Sequence, residues 1–399
     1  MSVIERPVDA QELVRRATAL QPLLAGNAAR CEAERRVPEE NIEAIREAGL
    51  FRIMVPRRLG GHETTLRTSV DISAALGEGC GSTAWVVALT NVCNWFVGNM
   101  LDQAQRDVFG ADPDARVAGV FAPSPEIEQV DGGYVVSGRW PWSSGCLHAS
   151  WAYVGTIQIG PDGVPLDIGH VIIPMRDLTI EDTWFVAGMK GTGSNTLVAD
   201  RVFVPEHRYM SIPPVVAAGV KPTEHTGEAL FQAAFIPFAV AILLGPLLGL
   251  GRAALKLAVD KAPSRAVSYT RIATQRASTG FQIKLAEAAM TLDDAALHTD
   301  RACEEIDGCA ARGERMDPLT RARIRADAGW ASRRVREAIS LILDAHGASG
   351  FADASPMQRV WRDANTAGRH AMINPLVTEE VYGKALLGFG PEEQITDLI

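Results

Sequence analysis

The chain has 399 residues, 47% of them hydrophobic and 22% charged, enough to bury a large core shared by two or three packed domains. A formal net charge of -9 argues against nucleic acid or an anionic membrane as a partner. Six cysteines (Cys31, Cys80, Cys93, Cys146, Cys303 and Cys309) contain no CxxC pair and no Cys/His metal spacing, so reduced thiols, a cytoplasmic setting and no metal are expected.

The start, Met1-Ser-Val-Ile-Glu-Arg-Pro7, lacks the basic and then apolar pattern of a signal peptide. Helical apolar spacing follows to about Asp112 and predicts helices over Gln11–Leu24, Pro38–Ala48, Leu66–Leu76 and Ser82–Met100. Met54-Val-Pro-Arg-Arg-Leu-Gly-Gly61 reads as a loop between them.

Near Ala115 the character changes to short β-branched runs. Strands are predicted over Arg116–Phe121, Ile127–Val130, Tyr134–Trp140, Trp151–Ile159, Gly169–Pro174, Leu178–Asp182 and Thr196–Val204. Asp131-Gly132-Gly133 and Pro161-Asp-Gly163 supply turns. From Glu228 onward the period is helical again, over Phe231–Lys261, Gln275–Arg312, Pro318–His346 and Pro356–Ile373, with a last short helix around Thr378–Leu387. Asn374-Pro375 should end the fourth of these, because a residue before proline disfavours the α region.

The run Ala233–Leu250 carries no charge and could span a bilayer by length alone. Pro237, Pro246, Gly245 and Gly249 make a buried central helix the better reading, with no membrane partner. The order helical, β, helical predicts an α+β fold in three parts. These are residues 1–113 as an N-terminal helical domain, 114–226 as a central β-barrel or sandwich, and 227–399 as a C-terminal four-helix bundle.

Three segments carry chemistry. The first is Val130-Asp-Gly-Gly-Tyr-Val-Val-Ser-Gly-Arg-Trp-Pro-Trp-Ser-Ser-Gly-Cys146. On residue type alone, Trp140 and Trp142 suit a barrel core and Ser143-Ser144 a turn as well as they suit a ligand. The second, Gly188 to Pro205, contains the hydroxyl-rich stretch Gly191-Thr192-Gly193-Ser194. The third runs from Asp344-Ala-His-Gly-Ala-Ser-Gly-Phe351 through Arg359-Val-Trp-Arg-Asp-Ala-Asn-Thr-Ala-Gly-Arg-His370. His370 by itself would be a capping or core histidine. Its ordinary pKa near 6.5 suits proton exchange at neutral pH, and a helix end at Asn374 would favour its cation.

Together these segments and the helix-β-helix order resemble the acyl-CoA dehydrogenase superfamily over nearly the whole chain. The resemblance implies that Trp142 covers a flavin ring, that Ser143 and Ser144 meet its N5/C4a edge, and that His346, Gly347 and Gly350 approach its adenine or pyrophosphate end. It assigns phosphate contacts to Arg271 and Gln282 and substrate contacts to Trp140, His148 and Thr192.

Dehydrogenases of this family place a glutamate base where this chain has His370. The alternative base helix, Phe231–Leu250, contains no Asp or Glu. The pattern instead resembles the two-component flavin-dependent monooxygenases, such as the hydroxyphenylacetate, secosteroid, dibenzothiophene and indole oxygenases. That branch implies reduced FMN or FAD from a separate NAD(P)H-dependent flavin reductase, O2, a C4a-hydroperoxide, hydroxylation of a small aromatic or heteroaromatic substrate, and a homotetramer. His370 would then be catalytic, with Ser143 and Ser144. The other readings are an acyl-CoA dehydrogenase with a non-standard base, an N- or S-oxygenase, and a non-catalytic flavin-fold subunit. No strand-GxGxxG-helix unit supports a nicotinamide site on this chain.

Overall fold

A computed structural model describes residues 9–160, 162–218 and 221–399. The Met1–Pro7 start and Pro161 of the Pro161-Asp-Gly163 turn lie outside the described residues.

Among the described residues the N-terminal segment forms six α-helices: α1 Ala10–Ala19, α2 Gln21–Ala33, α3 Glu39–Glu47, α4 Leu66–Gly79, α5 Gly81–Gly98 and α6 Asp102–Phe109. The helix expected over Gln11–Leu24 is two, because Pro22 is accepted only in a first turn, where its missing N–H is not needed. Nearly every residue of α5 is buried, which makes it the central helix of this layer.

Seven strands follow among the described residues: β1 Val117–Val130, β2 Gly133–Ser143, β3 Trp151–Ile159, β4 Pro165–Pro174, β5 Thr179–Glu181, β6 Asn195–Pro205 and β7 Tyr209–Ser211. They form one sheet in the order β5-β6-β2-β1-β3-β4-β7, with β1 and β3 parallel. The two strands expected over residues 116–130 are a single strand whose register shifts near Pro123, a residue that cannot donate to a ladder. The short β7 was not foreseen. The sheet curls on itself: Tyr134 of β2 meets Tyr209 of the edge strand β7 at 4.7 Å. Its concave side encloses a core that includes Val136, Trp140, Val154, Val171 and Leu197.

The chain then forms α7 Pro213–Ala218, α8 Phe235–Ala241, α9 Leu244–Lys261, α10 Thr279–Ala311, α11 Pro318–His346, α12 Pro356–Ala367 and α13 Pro375–Leu386. The apolar central run is split into α8 and α9, and 83% of its most apolar window is covered inside the protein. Helices α4 and α9 cross at two glycines. A Cβ on Gly249 would lie 2.3 Å from the Ala74 carbonyl oxygen, and one on Gly77 would lie 3.1 Å from Gly249 Cα. Only glycine permits that approach.

Helix α12 stops six residues short of the expected Ile373. Ser332 Oγ of α11 donates to the Gly368 carbonyl at 3.0 Å, taking the acceptor that the next turn would have used. The chain makes a 3-10 turn over Ala371–Ile373 and restarts at Pro375.

Candidate active site

The pairing of β2 with β6 slips between Trp140 and Ser143, and Trp142 there adopts a left-handed backbone at φ 72°. A non-glycine residue held so costs about 1 kcal/mol or more and persists where surrounding structure enforces it. The bulge turns the Trp142 ring outward, 66% exposed and edge-on to Trp184 at 5.2 Å. Phe185 beside it is also exposed, under the Arg35 guanidinium at 4.1 Å. The result is an open aromatic shelf.

Behind the shelf runs a line of buried hydroxyls. Trp85 Nε1 on α5 donates to Ser144 Oγ at 3.3 Å, Ser144 and Ser194 Oγ are 2.8 Å apart, and Ser194 and Thr192 Oγ are 2.6 Å apart. Thr192 Oγ1 donates to the Met189 carbonyl at 2.9 Å. The loop that carries Thr192 lies close against α2, since a Cβ on Gly191 would sit 2.2 Å from Cys31 Sγ. Its other support is Asp363 of α12, whose Oδ1 accepts the Met189 amide at 2.5 Å. Burial pushes the Asp363 carboxyl up to about 7.

His370 lies with its ring 5.8 Å from Trp85, so the line and the histidine share one indole. The residue as a whole is half-buried, but its ring sits deep enough that burial pushes its pKa down to about 4. Its Nδ1 accepts the Met372 amide at 3.3 Å. At neutral pH it is therefore an uncharged imidazole with its proton on Nε2. The expected cation at a helix end is corrected on both counts: α12 has ended before it, and desolvation outweighs any dipole.

Two further candidates are engaged in packing. Trp140 is fully buried in the sheet core and donates to the Gly155 carbonyl at 2.7 Å, so it has no face for a substrate. His148 is buried with Nδ1 3.5 Å from Glu39, and its backbone carbonyl accepts from Arg116. It is pushed down to about 4, first by burial and then by Arg36, and belongs to the seam with α3.

Ser143 is fully buried, and its Oγ has no partner. The other predicted cluster forms at the end of α11. Arg265 Nη1 donates to His346 Nε2 at 2.8 Å, and Arg265 also bonds Ser349. The proton of His346 is then on Nδ1, which is buried without a partner. Gly347 adopts φ 80°, and Gly350 is buried against Leu343 and His346. Arg271 and Gln282 are exposed, and Gln282 bonds the Arg276 carbonyl. Helix α12 touches both clusters, through Asp363 at Met189 and through Trp361 edge-on to Phe351 at 5.8 Å.

Trp85, Trp184, Arg265 and Asp363 were not singled out by sequence. Asp363 had a signal, a charged residue amid the buried Met357, Val360, Ala364 and Ala367 of α12. Trp85 sits in a helix buried nearly all round and had none.

These residues fit a flavin. The exposed shelf suits a flat ring, Ser143 Oγ and Ser144 suit a polar ring edge, and the unpartnered His346 Nδ1–H beside Arg265 suits an anion. A cavity of about 150 Å³ lined by Lys221, Arg315 and Arg321 shares no residue with this set.

Two family models match, the acyl-CoA dehydrogenase N-terminal domain over residues 9–110 and the C-terminal domain over residues 241–375. The chain belongs to the acyl-CoA dehydrogenase family. Within that family it is similar to the oxygenase subunit HsaA, a flavin-dependent monooxygenase of Rhodococcus jostii (strain RHA1), at 32% identity over 94% of this chain and 98% of that one. The oxygenase component of the FADH(2)-dependent resorcinol hydroxylase of Rhizobium sp. (strain MTP-10005) is 32% identical over 96% and 95%. The solved structure of XiaF from Streptomyces sp. with FADH2 and glycerol superposes with a TM-score of 0.89, at 36% identity and 96% coverage of both chains. This acyl-CoA dehydrogenase family member is a flavin-dependent monooxygenase that uses reduced flavin and O2.

Proposed function

We propose that this chain receives reduced FMN or FAD from a separate NAD(P)H-dependent reductase and hydroxylates a small phenol-like or heteroaromatic substrate. Its relatives are oxygenase components that act on aromatic compounds. The observation that carries the reading is His370, a buried neutral imidazole where a dehydrogenase of the family carries a glutamate. Two carboxylates of the same C-terminal segment are engaged elsewhere. Asp363 is turned to the Met189 amide, and Glu379 pairs with Arg333 at 3.0 Å.

When bound, reduced flavin would supply the C4a carbon that takes up oxygen. The protein's part is to hold and shield. Trp142 would cover the ring, and Ser143 and Ser144 would meet its N5/C4a edge. Arg265, His346, Gly347 and Gly350 would take a phosphate end, with Arg271 and Gln282 left to reach one from the surface. His370, its Nδ1 engaged, would offer Nε2–H to the departing oxygen left on the flavin rather than to the substrate. A hydrogen bond there would strengthen as negative charge grows on that oxygen while the ring takes up the other. The low basicity of His370 makes this donor role a better fit than full deprotonation.

A homotetramer is part of the proposal. Ile283, Met290 and Leu297 stand on α10 at seven-residue intervals, each more than 60% exposed. Helix α10 also begins near the His346 cluster, which fits a flavin shared with a neighbouring copy.

The test is anaerobic. Protein mixed with reduced FMN or FAD should bind it, and acyl-CoA thioesters should leave bound oxidised flavin yellow. Bleaching by an acyl-CoA would return the chain to dehydrogenation.

A further inference from the structure

The hydroxyl line has a direction. At one end Trp85 Nε1–H can only donate, and at the other the Met189 carbonyl can only accept. Each hydroxyl between them has one proton. Thr192 gives its proton to Met189, so Ser194 must give its proton to Thr192, and Ser144 must give its proton to Ser194. Ser144 already receives the Trp85 proton. What it has left to show a ligand is a lone pair.

We propose that this line makes Ser144 a fixed acceptor, so that Trp85, Ser194 and Thr192 select the reduced flavin over the oxidised one. The N5 of reduced flavin carries a hydrogen and donates, whereas oxidised N5 has only a lone pair. Reduced flavin completes the line as it stands. Oxidised flavin faces two lone pairs, or it forces all three hydroxyls to reverse and the Thr192-to-Met189 bond to be given up. Reversal leaves the Met189 carbonyl with Trp184 Nε1 at 2.9 Å and the Thr192 amide at 3.2 Å, so the penalty is about one net hydrogen bond. That corresponds to about fivefold in affinity. The inference rests on the reading that Ser144 meets the flavin N5 edge.

The measurement is the ratio of dissociation constants for oxidised and reduced flavin, taken with FMN and with FAD by anaerobic and aerobic titration. Thr192→Val removes the last link, and Ser194→Ala removes the acceptor for the Ser144 proton. Either change frees Ser144 to donate, and should lower the ratio about fivefold by tightening the oxidised form. Thr192→Ser should restore the wild-type ratio. Wild-type ratios in both Thr192→Val and Ser194→Ala would overturn the directed line. If Thr192→Val does not fold by circular dichroism, Ser194→Ala decides alone. Ser144→Ala separates this failure from a deeper one. If it changes neither affinity, or if the wild type binds neither flavin, the placement of the flavin itself is wrong.

Discussion

Asp363 Oδ1 and the Met189 amide are 2.5 Å apart, and this contact ties α12 to the loop that carries Thr192 and Ser194. The carboxyl is fully enclosed and pushed up to about 7. It holds a backbone amide, for which charge is unnecessary.

Asp363→Ala should therefore cost about 1–3 kcal/mol, the penalty of leaving a buried donor unpaired. Asp363→Asn keeps an oxygen for Met189 and should lie much closer to wild type. Chemical denaturation of the two variants checks the difference, and equal losses would mean that the charge matters.

The two tryptophans of the bulged strand should separate cleanly. Trp142→Ala removes an exposed ring and should weaken flavin binding with a stability change within about 0.5 kcal/mol. Trp140→Phe deletes the bond to the Gly155 carbonyl and shrinks a fully buried ring, and should cost about 1–3 kcal/mol of stability, with flavin affinity unchanged. Calorimetric melting and flavin titration of both variants provide the check.

Acid should destabilise the fold before carboxylates protonate in bulk. His62, His148, His170 and His370 are each pushed down to about 4, all chiefly by burial, against an ordinary value of 6.5. Between pH 6.5 and 4 the unfolded chain binds protons that the folded chain refuses, so stability falls as pH falls through that window. Asp363 acts oppositely: its folded pKa is raised, so its contribution declines as pH rises toward 7. Denaturant midpoints from pH 8 to pH 4 should stay nearly level and then drop steeply below about 6.5. A profile rising toward pH 5 would contradict this balance.

At the crossing of α4 and α9, Gly249→Ala places a Cβ 2.3 Å from the Ala74 carbonyl oxygen. The helices must separate, at about 1–3 kcal/mol. Thermal melting reads the loss directly.

Much of this fold was legible because burial writes a period into sequence. The switch from helical spacing to β-branched runs near Ala115 and back near Glu228 marked the three parts. Boundaries were less legible where a tertiary contact set them. The end of α12 depends on Ser332 reaching Gly368 from another helix, and no local residue announces that. Of the motif residues, the fold sets Ser144 and His370 against the Trp85 indole, links Thr192 to Ser144 through Ser194, and leaves Trp142 edge-on to Trp184. Trp85 itself was hidden, because an indole on a fully buried helix looks like core until its N–H finds Ser144. The charge state of His370 was not legible, since desolvation depends on neighbours that the sequence does not place.

The role of His370 is open to direct substitution. His370→Ala should leave reduced-flavin binding within about twofold while cutting product formed per flavin oxidised by about 10²-fold, the scale of one lost transition-state donor. Unchanged coupling would remove the histidine from the chemistry.

The most direct test of the whole account follows the oxygen atom. The protein is incubated with a flavin reductase, NADH, FMN or FAD, a panel of phenols, indoles and thiophenes, and ¹⁸O2, and the products are read by mass spectrometry. One labelled oxygen is expected on a ring carbon of an aromatic product, formed only when both reductase and this chain are present. Label confined to water and peroxide for every compound, together with flavin bleaching by an acyl-CoA, would contradict it.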